Sequence, residues 1–382
     1  MSSENLPATM KALVVESPGQ PLTLKTVPVP SATPGSCVVK ILVVQADDKT
    51  PQIIQGVPGY TFPPNFVPAA HAIGRVAAVG PDATSLGVGQ LVMLEGFIRA
   101  RDDPDDVQIL WGITAGLTPA SLRFMADNWA MGCMAEYVRA PLENCYPLDE
   151  RRLCGAPAEG GLGYALEDLL QLPTQLVAMG GLRAIDLKPG ERVIVAPATG
   201  AFSGAAVQVA VAMGAQVVAM ARNRTLLEKL QQQQQQQAAP GRVQIVPITG
   251  DVEADTASLK QWGPVDAYID LSPPAASEST HIRSCFPALR KYGRACLMTV
   301  IGHDVAVPYA LLTWNSLTVK GQFMYEREDA RLLIKMAEAG VLKLGKAGGI
   351  EVVGRFKLEE VDEAFAVAAK NPEVGKLVAI VP

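Results

Sequence analysis

A turn of small residues between two apolar runs carries the clearest chemical pattern in the sequence. Arg192–Ala196 predicts a strand and Gly204–Met213 predicts a helix. Small side chains let the backbone approach a pyrophosphate, and a helix start offers free N–H groups and a positive dipole end. Of the three glycines in the usual Gly-x-Gly-x-x-Gly pattern, only Gly200 is present, and Ala198 and Ser203 replace the other two. The prediction therefore depends on the strand–turn–helix context. The predicted dinucleotide-binding residues are Ala198, Thr199, Gly200, Ala201, Phe202 and Ser203.

The next predicted strand, Val217–Ala221, carries the choice of nucleotide. An acidic residue near its end would hold the ribose 2′-hydroxyl of NADH. Instead, Ala221 is followed by Arg222, Asn223 and Arg224. Two guanidinium groups and no carboxylate favour a 2′-phosphate, so the sequence predicts NADPH as the cofactor.

The elements around this turn alternate between strand and helix. Leu166–Ala184 has helical periodicity, and further strands are predicted at Val243–Pro247, Ala267–Leu271 and Ala295–Val300. Alternation of this kind predicts βαβ units and an α/β domain with a parallel sheet.

The first part of the chain predicts a β-rich domain. Its short apolar or alternating runs are separated by turns rich in Pro and Gly: Met10–Val15, Leu22–Val27, Cys37–Val44, Ala72–Gly80 and Gly89–Leu94. The last stretch, Lys376–Val381, also predicts a strand. We expect it to pair with the first domain, which would make that domain discontinuous.

Composition restricts the class of protein. A length of 382 residues fits two domains, and 49% apolar residues supply a sizeable core. A net charge of −5 without clustered Lys or Arg argues against nucleic-acid binding. No apolar run reaches the roughly 18 residues that cross a bilayer, so no membrane partner is expected. Met1–Thr9 lacks the apolar stretch of a signal peptide, and the six cysteines form no CxxC pair, so a cytoplasmic location is expected.

Motifs spread over nearly the whole chain carry a family resemblance: Met10–Val15, Pro68–Gly80, Gly132–Val138, Leu187–Val193, Leu358–Phe365 and Gly375–Val378. Together they resemble the medium-chain dehydrogenase/reductases, the superfamily of zinc alcohol dehydrogenases and quinone oxidoreductases. The resemblance implies a GroES-like β-rich domain, residues 1–164 and 319–382. It also implies an inserted Rossmann domain with a doubly wound parallel sheet, residues 165–318.

The zinc sites of this family are altered in the sequence. By similarity, the first zinc Cys falls on or near Asp47, the His is kept as His71, and the later Cys falls near Thr174, which we count among the cofactor-binding residues. Met93–Gly132 contains no Cys for a structural zinc. We therefore predict no metal site. A hydrogen-bond donor or general acid would replace the metal, and the candidates by similarity are Asp47, Tyr60 and His71.

The predicted function is that of a zinc-independent, NADPH-dependent oxidoreductase. It would transfer a hydride to an activated C=C (enone, enoyl or quinone type) or a carbonyl of a small organic substrate. One alternative is a zinc alcohol dehydrogenase with an atypical Asp47/His71 site, and another is a non-catalytic NADPH-binding protein. Each candidate also has a structural interpretation: Asp47 as a loop acid, Tyr60 as a packing aromatic and His71 as a core histidine. No Ser/His/Asp arrangement stands out.

Three further segments carry expectations. Leu94–Trp129 departs most from the family pattern, and we expect it to shape the substrate pocket. Gln231–Gln237, a run of seven glutamines, is predicted to extend the end of a surface helix, with an interaction tract as the alternative. Leu317–Phe323 predicts a strand at a sheet edge that pairs with a second chain, so a homodimer is expected.

Overall fold

The computed structural model describes residues 6–235, 241–276, 278–302 and 304–382. Within them the strands are β1 (Thr9–Val15), β2 (Leu22–Pro28), β3 (Ser36–Ala46), β4 (Ala72–Val79), β5 (Leu91–Leu94), β6 (Phe97–Arg99), β7 (Gln108–Leu110), β8 (Tyr137–Pro141), β9 (Cys145–Pro147), β10 (Arg192–Ala196), β11 (Gln216–Ala221), β12 (Val243–Pro247), β13 (Val265–Asp270), β14 (Leu289–Leu297), β15 (Thr318–Gly321), β16 (Glu351–Phe356) and β17 (Lys376–Ile380).

The α-helices of the same residues are α1 (Thr50–Ile54), α2 (Pro119–Phe124), α3 (Glu150–Cys154), α4 (Gln171–Ala184), α5 (Ala201–Ala212), α6 (Arg224–Gln235), α7 (Val252–Lys260), α8 (His281–Ala288), α9 (Tyr309–Trp314), α10 (Arg327–Glu338) and α11 (Val361–Lys370). A π-helical turn covers Met125–Trp129, and 3₁₀ turns cover Leu142–Asn144, Pro157–Glu159, Leu166–Leu170, Pro274–Ala276, Gly345–Gly348 and Leu358–Glu360.

A six-stranded parallel sheet forms the centre of one domain, in the order β12-β11-β10-β13-β14-β15. Strands β11 and β12 are added in sequence on one side of β10, and strands β13, β14 and β15 are added in sequence on its other side. Doubly wound sheets bind nucleotides where this direction reverses, beyond the carboxyl ends of the strands. Ile194, Val218 and Tyr268 from three adjacent strands are fully buried in its core.

The predicted elements of this sheet agree closely with the structure at β10 and β12. Helix α5 begins three residues earlier than predicted, because the extended backbone of Gly200 forms its N-cap. The predicted strand Ala295–Val300 is wrong in its last three residues, 298–300, which lie outside β14. Strand β14 stops at Leu297, the last residue that pairs with β13, opposite Asp270.

The other domain contains a seven-stranded sheet in the order β16-β17-β3-β4-β5-β9, with β8 also paired to β3. Its longest strand, β3, contributes the buried core residues Val39, Ile41 and Val44. Strand β17 pairs antiparallel with β3, with Val378 opposite Ala46, which confirms the predicted pairing of the C-terminal strand. Strand β16, which pairs with β17, was not predicted.

The domain boundaries differ from the predicted 165–318. The β domain comprises residues up to Pro173, Glu351–Pro372 and Lys376–Pro382, and the Rossmann domain comprises Thr174–Ile350 and Glu373–Gly375. Residues 319–350 belong to the Rossmann domain because β15 extends its sheet beside β14 and Asp329 of α10 pairs with Arg183 of α4 at 3.3 Å. Residues 165–173 stay in the β domain, where Glu167 pairs with Arg355 at 3.1 Å.

The segment Leu94–Trp129, which contains no cysteine, has packing of its own. Strands β6 and β7 form a hairpin. The buried Glu95 carboxylate accepts the N–H of Phe97 at 2.7 Å, and the fully buried Trp111 donates its indole N–H to the Met131 carbonyl at 2.9 Å. Its predicted role in a substrate pocket stays a prediction.

The described glutamines of the run, Gln231–Gln235, form the end of helix α6 and contact other parts of the same domain. Helix α6 extends to Gln235, and residues 236 and 237 lie outside the described part of the chain. Gln231 donates to the Val243 carbonyl at 2.8 Å, Gln233 donates to the Gly349 carbonyl at 3.2 Å, and Gln234 is buried. Much of the run is therefore anchored to its domain. In the described chain, no helix combines the length and apolarity needed to span a membrane.

Candidate functional site

Strand β10 leads directly into the predicted cofactor turn. A cis peptide bond joins Ala196 to Pro197, and the buried Ala198 N–H then donates to the Met220 carbonyl at 2.8 Å. Because Met220 lies in the neighbouring strand β11, this hydrogen bond fixes the start of the turn to the sheet.

The end of the turn leaves the start of α5 open to solvent. Gly200 is the N-cap, and its N–H donates to the Ser203 Oγ at 3.1 Å. Gly200 and Ala201 are exposed, whereas Phe202 is half-buried and Ser203 is buried. The first N–H groups of a helix lack partners within the helix. An exposed helix start with a positive dipole end suits a phosphate group.

The segment Glu373–Gly375 packs against the same turn. The Val374 N–H donates to the Thr199 carbonyl at 3.4 Å, and Gly200 forms a β-bridge with Glu373. A Cβ atom at Gly204 would lie 2.1 Å from Cγ2 of Val374. Close packing of this segment on α5 therefore requires glycine at position 204.

The three polar residues after β11 have different surroundings. Asn223 caps α6, because its Oδ1 accepts the Leu226 N–H at 3.1 Å. Arg224 forms an ion pair with Glu228 at 2.9 Å. Arg222 is exposed and forms no ion pair with any other residue that the structure describes. Since β10 and β11 are parallel neighbours, Arg222 follows β11 at the same edge of the sheet as the cofactor turn.

In the β domain, the structure brings Asp47 and His71 to the same end of a strand pair. Asp47 follows β3 and His71 precedes β4, and the two strands pair antiparallel with Val44 opposite Ala72. The Asp47 carboxylate accepts the N–H groups of Lys49 and Thr50, each at 2.8 Å, and the Thr50 hydroxyl at 2.7 Å. These bonds hold the loop that leads into α1.

The His71 ring is half-buried and forms no hydrogen bond with another described residue. The alternative interpretation of His71 was a core histidine whose ring is hydrogen-bonded to the backbone, and the observed ring has no such bond to a described residue. Burial lowers the pKa of His71, and the negative charge of nearby Asp47 partly offsets that effect. The ring is therefore neutral at pH 7 and presents one donor and one acceptor nitrogen.

The structure does not join the remaining candidates to this pair. Tyr60 follows α1 in a turn closed by its N–H to the Val57 carbonyl at 3.3 Å, and its side chain is 37% exposed. Among the described residues, its hydroxyl has no hydrogen bond to Asp47 or His71. Thr174 is half-buried in the first turns of α4.

A zinc ion does not fit the donor groups around Asp47 and His71. Catalytic zinc takes three protein ligands, usually His, Cys, Asp or Glu. Within residues 6–235, 241–276, 278–302 and 304–382, no group of three such side chains is placed to hold a metal ion. The Asp47 carboxylate also already accepts three hydrogen bonds.

Sequence reasoning missed a buried polar cluster at the end of β13. The Asp270 carboxylate accepts hydrogen bonds from the Tyr268 hydroxyl at 2.5 Å and the Ser272 hydroxyl at 3.1 Å, and its Oδ2 lies 2.9 Å from Nε2 of His281. No Ser/His/Asp arrangement stands out in the sequence, but the structure brings Ser272, His281 and Asp270 within hydrogen-bond distance of one another. The available signal was His281, ten residues after Leu271, the last residue of the predicted strand Ala267–Leu271.

The chain combines a β domain with a parallel Rossmann sheet, which confirms the predicted α/β fold class. A GroES-like β domain and a Rossmann domain together make up the fold of the alcohol dehydrogenases. Residues 33–150 match the family described as the alcohol dehydrogenase GroES-like domain. An alcohol dehydrogenase of Rhizobium meliloti strain 1021 is 24% identical over 373 residues, which cover 97% of each chain.

Solved structures share the fold over nearly the full chain. A short chain alcohol dehydrogenase of E. coli CFT073, complexed with NADH, superposes with a TM-score of 0.75 at 15% identity and covers 98% of this chain and 100% of its own. A dehydrogenase of Sinorhizobium meliloti 1021, described as zinc-binding and solved with NADP bound, has a TM-score of 0.73 at 17% identity and covers 98% of this chain and 100% of its own. The comparisons support an oxidoreductase of the medium-chain dehydrogenase/reductase type, for which nicotinamide cofactor binding is expected.

Proposed function

We propose that this protein is a zinc-independent, NADPH-dependent reductase that acts on an activated C=C of a small organic substrate. The observation that carries the proposal is Arg222, an exposed guanidinium without an ion-pair partner among the described residues. It follows β11 at the edge of the sheet where the cofactor turn lies. NADPH, when bound, supplies the hydride.

The preference for NADPH follows from the residues at the end of β11, where an NADH-binding protein would have an acidic residue for the ribose 2′-hydroxyl. Ala221 is buried and apolar, so no carboxylate at that position repels a 2′-phosphate. Arg222 has the geometry to bind phosphate through two N–H donors. The pyrophosphate would lie against the start of α5, at the exposed residues Gly200 and Ala201.

Zinc independence is supported by the chemistry of the donor groups. Asp47 is engaged in holding the loop before α1, and a third ligand near His71 is lacking among the described residues. Without a Lewis acid, a developing alkoxide needs strong support from the protein. A conjugated acceptor instead spreads the developing charge into an enolate, which needs less support. This favours reduction of an activated C=C over oxidation of a simple alcohol.

His71 is the side chain that we propose to contact the substrate. Its ring is neutral and has no other hydrogen bond within the described chain, so one N–H is available to stabilise an enolate oxygen. Solvent would then supply the proton to the carbon of the enolate, because a neutral ring can donate a hydrogen bond but cannot give up its N–H proton at pH 7. His71→Phe keeps a ring but removes the N–H donor, so it should lower turnover about a hundredfold and leave NADPH affinity intact, whereas Asp48→Asn, in the adjacent loop, should change neither.

The proposed function is tested by supplying enones, quinones, enoyl thioesters and aldehydes with NADPH, and simple alcohols with NADP+, and following the absorbance of NADPH. We expect NADPH oxidation with at least one conjugated acceptor and no oxidation of simple alcohols. Robust alcohol oxidation by zinc-free protein, with no activity on conjugated acceptors, would contradict the proposal.

A metal analysis of the same preparation separates the alternatives. One zinc per chain, lost in the His71→Phe variant, would favour an alcohol dehydrogenase with an Asp47/His71 site. NADPH binding without oxidation across the whole panel would favour a non-catalytic binding protein.

A further inference from the structure

We propose that the buried pair Asp270–His281 is a positioning device for the nicotinamide half of the cofactor. This inference rests on the proposed use of NADPH. The pair lies within the Rossmann domain and would act by fixing the described residues of the loop between β13 and α8, 271–276 and 278–280. Neither residue is proposed to touch the reacting atoms.

The loop begins beside the cofactor turn. Asp270, the last residue of β13, is in register with Ala196, the last residue of β10 before that turn. These two strands flank the point where the strand order reverses, and the loop extends from that point. Among its exposed described residues, which also include Glu278, Pro273 and Pro274 have a fixed φ and no N–H, which makes this pair a stiff, apolar surface.

The Asp270 carboxylate is buried but fully engaged. It accepts the Tyr268 hydroxyl at 2.5 Å, the Ser272 N–H at 3.0 Å and the Ser272 hydroxyl at 3.1 Å, and it lies 2.9 Å from Nε2 of His281. Burial alone would raise the pKa of Asp270, but the hydrogen bonds from His281 and Tyr268 outweigh it and lower the pKa. The carboxylate therefore stays charged and attracts every donor around it.

His281 joins the two ends of the loop. Its Nε2 lies 2.9 Å from the Ser272 Oγ at the start of the loop, and its Nδ1 lies 2.8 Å from the Ser279 Oγ near the end. The ring is fully buried. A single side chain thus closes the loop on itself and ties it to the end of β13.

The cluster is not built for nucleophilic catalysis. In a Ser/His/Asp relay, the histidine contacts the serine with one nitrogen and the carboxylate with the other. Here Ser272 and Asp270 share Nε2, and both residues are buried. The arrangement fits a rigid support better than a reaction centre, because each polar group is held by several others.

The test compares two ligands that differ only in the nicotinamide. NADPH and 2′-phospho-ADP-ribose share the adenosine, 2′-phosphate and pyrophosphate groups. If the pair positions the nicotinamide half, His281→Ala should weaken NADPH binding about tenfold or more and leave binding of the fragment unchanged. Both affinities can be measured by titration calorimetry.

Two more variants separate positioning from general stability. The amide of His281→Gln can still reach Asp270, so this variant should recover part of the NADPH affinity and covers the case in which His281→Ala fails to fold. Ile282→Val, a buried apolar change on the same helix, should leave the ratio of the two affinities unchanged. Equal weakening of both ligands, or no change in either, would overturn the inference. Failure of the unaltered chain to bind NADPH would overturn the proposed function and this inference with it.

Discussion

At the scale of single residues, the sequence presents Arg222 and Arg224 as equivalent candidates for the 2′-phosphate. The structure distinguishes them. Arg224 pairs with Glu228 one helical turn later, an arrangement common on exposed helices. Arg222 precedes the helix and has no such pair within the described chain. We therefore expect Arg222 to carry most of the preference for NADPH.

Replacing Arg222 by Ala should cost about 1.5–3 kcal/mol of binding free energy for NADPH and little for NADH, the scale of one charged hydrogen bond. Arg224→Ala is the matched control and should have a smaller effect. Fluorescence titration with both cofactors measures the difference. Equal affinity of the unaltered chain for NADH and NADPH would show that the assignment is wrong.

Other features of the site could not be predicted residue by residue. The sequence identified Asp47 and His71 only by similarity, and it could not show that Asp47 is occupied by Lys49 and Thr50. The Asp270–His281 cluster was missed because it depends on where β13 ends and α8 begins. The partners lie eleven positions apart in the sequence, and no local periodicity links them.

At the scale of elements, local patterns predicted strands such as β10 and β12 well because their apolar runs are short and sharply bounded. The position of β15 depends on long-range pairing with β14, so the predicted domain boundary at 318 was misplaced. Strand β16 was not predicted, because it is only partly buried and its sequence lacks clear alternation. Its position also depends on long-range pairing, in this case with β17. Pairing partners, which a local pattern does not contain, decided these elements.

Packing of Glu373–Gly375 on α5 gives an element-scale prediction. Gly204→Ala would place a methyl group 2.1 Å from Cγ2 of Val374, so the helix or the segment must move. Overpacking of this kind costs about 1–3 kcal/mol of folding free energy. Because the segment also contacts Thr199, NADPH binding should weaken as well.

Chemical denaturation and cofactor titration of the Gly204→Ala variant measure the two effects. Adding Val374→Ala to the same chain removes the nearest methyl contact and should restore part of both losses. A variant that is as stable as the unaltered chain and binds NADPH as tightly would show that the close contact has no consequence.

At the scale of the whole molecule, the Rossmann sheet ends in a strand that nothing in the described chain covers. All four residues of β15 are exposed, in the part of the predicted strand Leu317–Phe323 that the structure retains. Large apolar side chains nearby in sequence are exposed too, including Trp314 at 81% and Phe323 at 50%. An exposed edge with apolar side chains favours pairing with another chain.

We therefore expect a homodimer that uses the β15 edge. Val319→Lys places a charge on this edge, where a partner would exclude water, and should shift the protein toward monomer. Val341→Lys is the matched control, because Val341 is also exposed in the Rossmann domain but lies outside the edge strand. Sedimentation velocity at micromolar concentration measures the distribution. The expectation fails if the unaltered chain is monomeric, or if both variants dissociate equally.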